Sequence, residues 1–212
     1  MSSQPRRAPA GAALLQPEVT SAITEAVLDE LAEHGYGRLA MEVVAKRAGV
    51  GKSALYRRWA SKEEMVLAVL SEFSVPLADV PDTGSLAGDV RAFVTAVHGW
   101  LTHPRFSRIL PDLVAEAARS PALAAAGQAA IGERRRAYAL AALRRAIERG
   151  EVPADLDLEM AADLLAAPIY WRLTVRNGTA EPGYLDTLTE FLLRALGADS
   201  PAHSPAGPRQ SR

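Results

Sequence analysis

The chain has no cysteine among its 212 residues. That excludes a disulfide framework and a thiolate metal site, and it agrees with a reducing, cytoplasmic setting. Long apolar runs are also missing. No stretch approaches the roughly 18 uninterrupted apolar residues of a membrane span, so no membrane partner is expected. The short run Ala12 to Leu15 that follows Arg6 and Arg7 is too brief for a signal peptide. Net charge is −1, so any attraction to a polyanion must be local rather than global. Aromatics make up only 6%, few enough to follow one by one. The four histidines, His34, His98, His103 and His203, show no metal-ligand spacing. No phosphate loop, GxSxG or HExxH occurs, and Glu159 and Asp163 at i, i+4 read as a solvated acidic face. No catalytic residue, metal or cofactor is assigned.

Helical periodicity is abundant. Ile23, Val27 and Leu31 recur four apart, which predicts a helix from about Glu18 to Glu33, stopped by the glycines of "HGYG". Met41, Val44 and Ala48 predict a short second helix, broken at Gly49-Val50-Gly51. A third short helix spans Lys52 to Trp59 and buries Leu55. Ser61 with Glu64 forms a capping box that starts a fourth, Lys62 to about Ser74. After "VPLADVPDTGS" the helices resume: about Leu86 to Leu101, one from near Pro104 interrupted or kinked at Pro111, a long one from Pro121 to Arg149, about Leu158 to Arg176 with a bend at Pro168, and Tyr184 to Leu196. No alternating strand pattern and no repeat is found, so the fold class is all-α. The ends, residues 1–16 and 198–212, read as a disordered arm and a disordered Pro- and Ser-rich tail.

Between Gly37 and Lys62 stand seven cations, Arg38, Lys46, Arg47, Lys52, Arg57, Arg58 and Lys62, against the single carboxylate of Glu42. The local charge is therefore +6, and the remainder of the chain carries −7. A run of Lys and Arg is by itself a solvated face. Set on a helix–turn–helix, it instead suits phosphate contact, with the helix after the glycine bend sized for a major groove. Leu55 faces inward, leaving Lys52, Ser53, Tyr56 and Arg57 to share the outer face. Tyr56 is read as a phosphate donor and Trp59 as a packing residue at the start of the fourth helix.

The string "AGVGKSALYRRW" followed by "SKEEM" resembles the DNA-binding region of TetR-family transcriptional regulators, and the likeness extends over about Thr20 to Leu70. It implies a homeodomain-like three-helix reading domain, residues 17–62, and a larger helical ligand-binding and dimerisation domain, residues 63–197. It further implies contact with double-stranded operator DNA through Lys52, Ser53, Ala54, Tyr56, Arg57, Arg58, Trp59 and Lys62, and a palindromic operator bound by a homodimeric, ligand-released repressor. A protein-interaction module without DNA binding, or an all-α enzyme, is the alternative. The chain departs from the family pattern at Ala40, where Thr often caps the second helix, and at Ala54, where Thr or Ser is common.

In the C-terminal part Phe93, Val97, Trp100, Phe106, Tyr138, Tyr170 and Trp171 are candidate walls of a pocket for an apolar or amphipathic small molecule, or else plain core. Leu158, Leu165, Ile169, Leu185, Leu188, Phe191 and Leu192 are the candidate dimer face, or else surface buried within one subunit.

Overall fold

The apolar stripe of Ile23, Val27 and Leu31 builds α1, Pro17–Arg38, in the computed structural model, which describes residues 17–74, 82–181 and 183–198. Gly35 leaves helical geometry at φ 76°, ψ 168°, so the glycine break falls where the sequence places it although helical turns resume to Arg38. Next come α2, Met41–Arg47, and α3, Lys52–Tyr56. The tight connection between them needs Gly49 at φ 66°. The fourth helix, α4, Lys62–Ser74, has its capping box: Glu64 N–H donates to Ser61 Oγ at 3.1 Å, and the Glu64 carboxylate accepts from Ala60 N–H at 2.8 Å. Ile23, Val27, Val44, Leu55, Met65 and Leu70 form one core, closed by Phe106 and Ile109.

The remaining helices are α5, Leu86–Leu101; α6, Phe106–Arg119; α7, Pro121–Gly127; α8, Glu133–Glu148; α9, Leu158–Tyr170; and α10, Tyr184–Ala195. A π-helical turn, Gln128–Gly132, joins α7 to α8, and a second, Trp171–Val175, continues α9. No strand occurs among the described residues. A second core draws on Val90 and Val94 of α5, Leu143 and Ala146 of α8, Leu165 and Ile169 of α9, and Leu188 and Leu192 of α10. Trp100 and Leu110 border both cores.

Two expectations change, and one contact is added that no expectation covered. Pro111 does not interrupt α6; it is exposed, so the Ser107 carbonyl that loses its helical donor can be hydrated. The predicted long helix from Pro121 is divided by the π turn. The start of α5 is tied to α8 by a buried carboxylate the sequence did not single out. Asp89 is fully buried, accepts from Thr83 N–H (2.8 Å) and Thr83 Oγ (2.7 Å), and faces Arg145 and Arg149 at 3.4 Å. Burial pushes its carboxyl up, but the Thr83 donors and Arg145 outweigh burial and hold it below the usual Asp range. The expected arm, residues 1–16, and all of the tail beyond Ala198 lie outside the described residues.

Candidate DNA-reading surface and effector cavity

Leu55, wholly buried, fixes the rotation of α3 and so decides which residues it shows to solvent. Lys52, Ser53, Tyr56 and Arg57 are exposed, Tyr56 by 46%. The helix proper is shorter than expected, yet Arg58 and Trp59 N–H still donate to the Leu55 carbonyl at 2.9 Å, so the turn carries on through Trp59. Several cations already have protein partners. Lys52 pairs with Glu42, which raises the lysine pKa and lowers that of the carboxylate. Arg58 donates to Thr20 Oγ1 at 3.1 Å and stacks 4.8 Å from the Trp59 ring centre. Lys62 donates to the Tyr36 carbonyl at 2.9 Å and lies 4.4 Å from the Tyr36 ring centre. The Arg57 side chain is exposed and makes no ion pair or hydrogen bond with any described residue. An exposed pair such as Lys52–Glu42 is worth little in water, so it can be exchanged for a phosphate at little cost.

A cavity of about 590 Å³ lies between α5, the π turn, α8 and α9. Phe93, Val97, Leu101, Ile131, Ala139 and Ala166 supply apolar wall, and Trp100 and Tyr170 add aromatic surface. Its charged lining is Arg135, Arg136 and Asp163. The Trp100 ring is 4.1 Å from that of Phe106, and Phe106 is 6.3 Å from Phe73 on α4, so an aromatic row leads from the cavity toward the first core.

The reading helices and the cavity share α4. At its start Lys62 holds the Tyr36 carbonyl. Toward its end Ser71 Oγ donates to the Ala130 carbonyl of the π turn at 3.2 Å and accepts from Arg134 at 3.3 Å. A second seat lies between α1 and α6: Tyr36 N–H donates to Asp112 Oδ2 at 2.7 Å, and Arg105 bridges Glu25 (2.6 Å) and Asp29 (3.0 Å). A Cβ on Gly35 would come within 2.9 Å of Asp112 Oδ1, so this approach requires glycine.

The model of the bacterial regulatory proteins of the tetR family matches residues 23–69, and that of the tetracyclin repressor-like C-terminal domain matches residues 80–192, more than half of the chain. The chain belongs to the TetR family. It is therefore a helix–turn–helix transcriptional regulator with a TetR-type C-terminal domain. Among curated relatives it is 27% identical over 183 residues to YdeS of Bacillus subtilis, an uncharacterized HTH-type transcriptional regulator, covering 86% of this chain and 92% of that one. It is 29% identical over 181 residues to the DNA-binding transcriptional repressor TetR of Mycobacteroides abscessus, covering 84% and 93%. Among solved structures, the TetR-family regulator SCO0332 matches at TM-score 0.68 and 30% identity, covering 84% of this chain and 97% of that one.

In this TetR-family chain the cavity takes only part of the aromatic set expected for it. Phe93, Val97, Trp100 and Tyr170 line it. Phe106 sits behind Trp100 in the core, and Tyr138 is half-buried off the lining. Trp171, at the start of the second π turn, is 58% exposed and does not line this cavity. The residues expected at a dimer face divide by burial. Leu165, Ile169, Leu188 and Leu192 are buried in the second core of their own chain, and Leu158 and Leu185 pack against it. Of that set only Phe191 is exposed, at 61%. Exposed apolar surface on α9 and its continuation comes instead from Met160, Trp171 and Val175. Ala40 is extended and offers no side-chain cap to α2, as its methyl requires. Arg135, Gln128 and Ile131 were missed as cavity residues. None of the three is aromatic, and nothing in "GQAAIGERRR" announces a π turn or says which arginine turns inward.

Proposed function

We propose that this TetR-family regulator is a cytoplasmic repressor that binds a palindromic operator as a homodimer and is released by a small molecule in the α5–α9 cavity. The seat of α4 carries the proposal. One end of this helix touches the reading domain through Lys62 and Tyr36, and the other is hydrogen-bonded through Ser71 to the turn that walls the cavity. A ligand shifts DNA affinity only by binding two conformations unequally. A shift of the π turn moves α4, and with it the spacing of two reading helices across a dimer. Ser53, Tyr56 and Arg57 meet the major groove, and Lys52 leaves Glu42 for a phosphate. Met160, Trp171, Val175 and Phe191 supply the apolar surface that a two-fold mate covers.

Selecting duplexes from a random pool with the full chain tests this. Two inverted half-sites are expected, their centres about 34–36 Å or a multiple apart. Arg57→Ala weakens binding to the selected duplex by about 1–3 kcal/mol, and the salt slope flattens by about 1 for each phosphate that is no longer neutralised. Phe191→Asp converts a sedimenting dimer to monomer. A wild-type chain that is monomeric at micromolar concentration, or that binds duplex without salt dependence, overturns the proposal.

A further inference from the structure

Arg135 is a half-buried cation without an acidic partner among the described residues. Its Nη2 is inaccessible to solvent and has no hydrogen-bond acceptor. Its one close contact is the face of Trp100, 3.6 Å from the guanidinium carbon to the ring centre. Trp100 Nε1 is likewise buried without an acceptor. Two unmet donors thus belong to two residues lining one cavity. Burial alone lowers the Arg135 pKa, to about 10, which still leaves the group protonated at neutral pH.

The adjacent arginine shows what satisfaction looks like in the same wall. Arg136 donates to Asp163 Oδ1 at 2.5 Å, to Glu159 Oε2 from Nε at 3.1 Å, and to the Glu159 carbonyl at 3.0 Å. Arg136 is therefore held by two carboxylates, Asp163 in the lining and Glu159 beside it. Arg135 is left as the one unpaired charge in the lining. Holding an ion away from water without a partner is costly, and natural chains keep such groups satisfied. The wall elsewhere is apolar.

We propose that the cavity binds an organic acid, a molecule with an apolar body and a single carboxylate, and that the carboxylate pairs with Arg135. The guanidinium fork donates to both carboxylate oxygens side by side, and a monoanion matches the one uncompensated charge. A volume near 590 Å³ holds a body the size of a medium-length alkyl chain or a fused-ring aryl group. Arg135 lies in the first turn of α8, the helix that follows the π turn, and its neighbour Arg134 holds Ser71 of α4, so the charge anchor stands beside the contact through which α4 is moved. The inference rests on the reading of this cavity as the effector site.

Titration of the full chain with decanoate, dodecanoate and naphthoate, each beside its alcohol and amine counterpart, tests the anchor. Tryptophan fluorescence and the ligand-induced rise in unfolding temperature are the readouts. At least one acid is expected to bind at least about tenfold more tightly than its alcohol, with the amine weakest. Arg135→Gln erases the preference for acid over alcohol, and Arg135→Lys keeps part of it and the folded cavity. Equal binding of acid and alcohol, a preference that survives Arg135→Gln, or no binding by any acid overturns the anchor. Operator release separates the two proposals. Arg135-dependent acid binding that leaves operator affinity unchanged removes the effector reading and keeps the anion site. Release by the neutral alcohols, indifferent to Arg135, does the reverse.

Discussion

Lys52, Arg57, Arg58 and Lys62 stand at the surface beside the reading helix, and all but Arg57 rest on a protein group: Glu42, Thr20 with Trp59, or Tyr36. Arg135 stands in a cavity and rests on nothing but an indole face. Partners therefore mean different things in the two places. At the surface water solvates whatever the protein does not, so a pair is worth little and is readily traded. Inside, water is scarce and an unmet donor keeps its full desolvation cost. Having partners says little against a role in DNA contact for the surface cations. Lacking one says a good deal about Arg135.

The molecule has two cores, the first closed by Phe106 and Ile109 of the C-terminal part, and Leu55→Ala tests how far they stand apart. Truncating this fully buried side chain costs about 2–5 kcal/mol in denaturant unfolding. Operator binding is expected to disappear, while the fluorescence response to a cavity-binding acid persists. Loss of both together would make the halves one cooperative unit.

A smaller effect lies in the second half. Asp89→Asn keeps an oxygen for the two Thr83 donors but puts an amide NH2 in place of the oxygen that faces Arg145 and Arg149, an expected loss of about 1–3 kcal/mol at pH 7. The folded pKa of Asp89 is depressed, so its stabilisation is full above the unfolded Asp value and is lost as pH falls through the folded one. The gap between variant and wild type in urea unfolding therefore closes below about pH 4. A gap unchanged in acid would mean that Asp89 acts by shape and not by charge.

The smallest effect is a gain. Ala40 is extended and offers no cap, whereas Ser85, Ser120 and Asp157 each accept an N–H at the start of their helices. Ala40→Thr is expected to stabilise the reading half by about 0.5–2 kcal/mol in thermal unfolding, without altering acid binding in the cavity.

The helices were legible because their ends are written in local chemistry. Ser61 with Glu64 marks the start of α4, and Gly35 and Gly49 take up the left-handed φ that their turns require. The reading surface was legible for the same reason, a short motif on adjacent residues. The cavity was not, since its wall comes from α5, the π turn, α8 and α9, which only the fold brings together. Periodicity finds an apolar face but cannot say what covers it. Leu165 and Ile169 turned out to serve their own core, and the Trp171 expected inside faces solvent.

One consequence of the π turn concerns angle. A π turn holds one residue more than the α-helix it interrupts, and each α-helical residue advances by about 100°. Gln128–Gly132 thus sets the phase of everything after it, including the run Arg134, Arg135, Arg136. Those three side chains are chemically identical, yet one ties down α4, one faces a cavity without a counter-ion, and one is neutralised by Glu159 and Asp163. Deleting a single residue from the turn would rotate the series and give the cavity position to a neighbour. Which arginine sits there is decided by a count of backbone atoms several residues upstream, so single-residue insertions and deletions in 128–132 alter the cavity's charge without replacing any residue that lines it with charge.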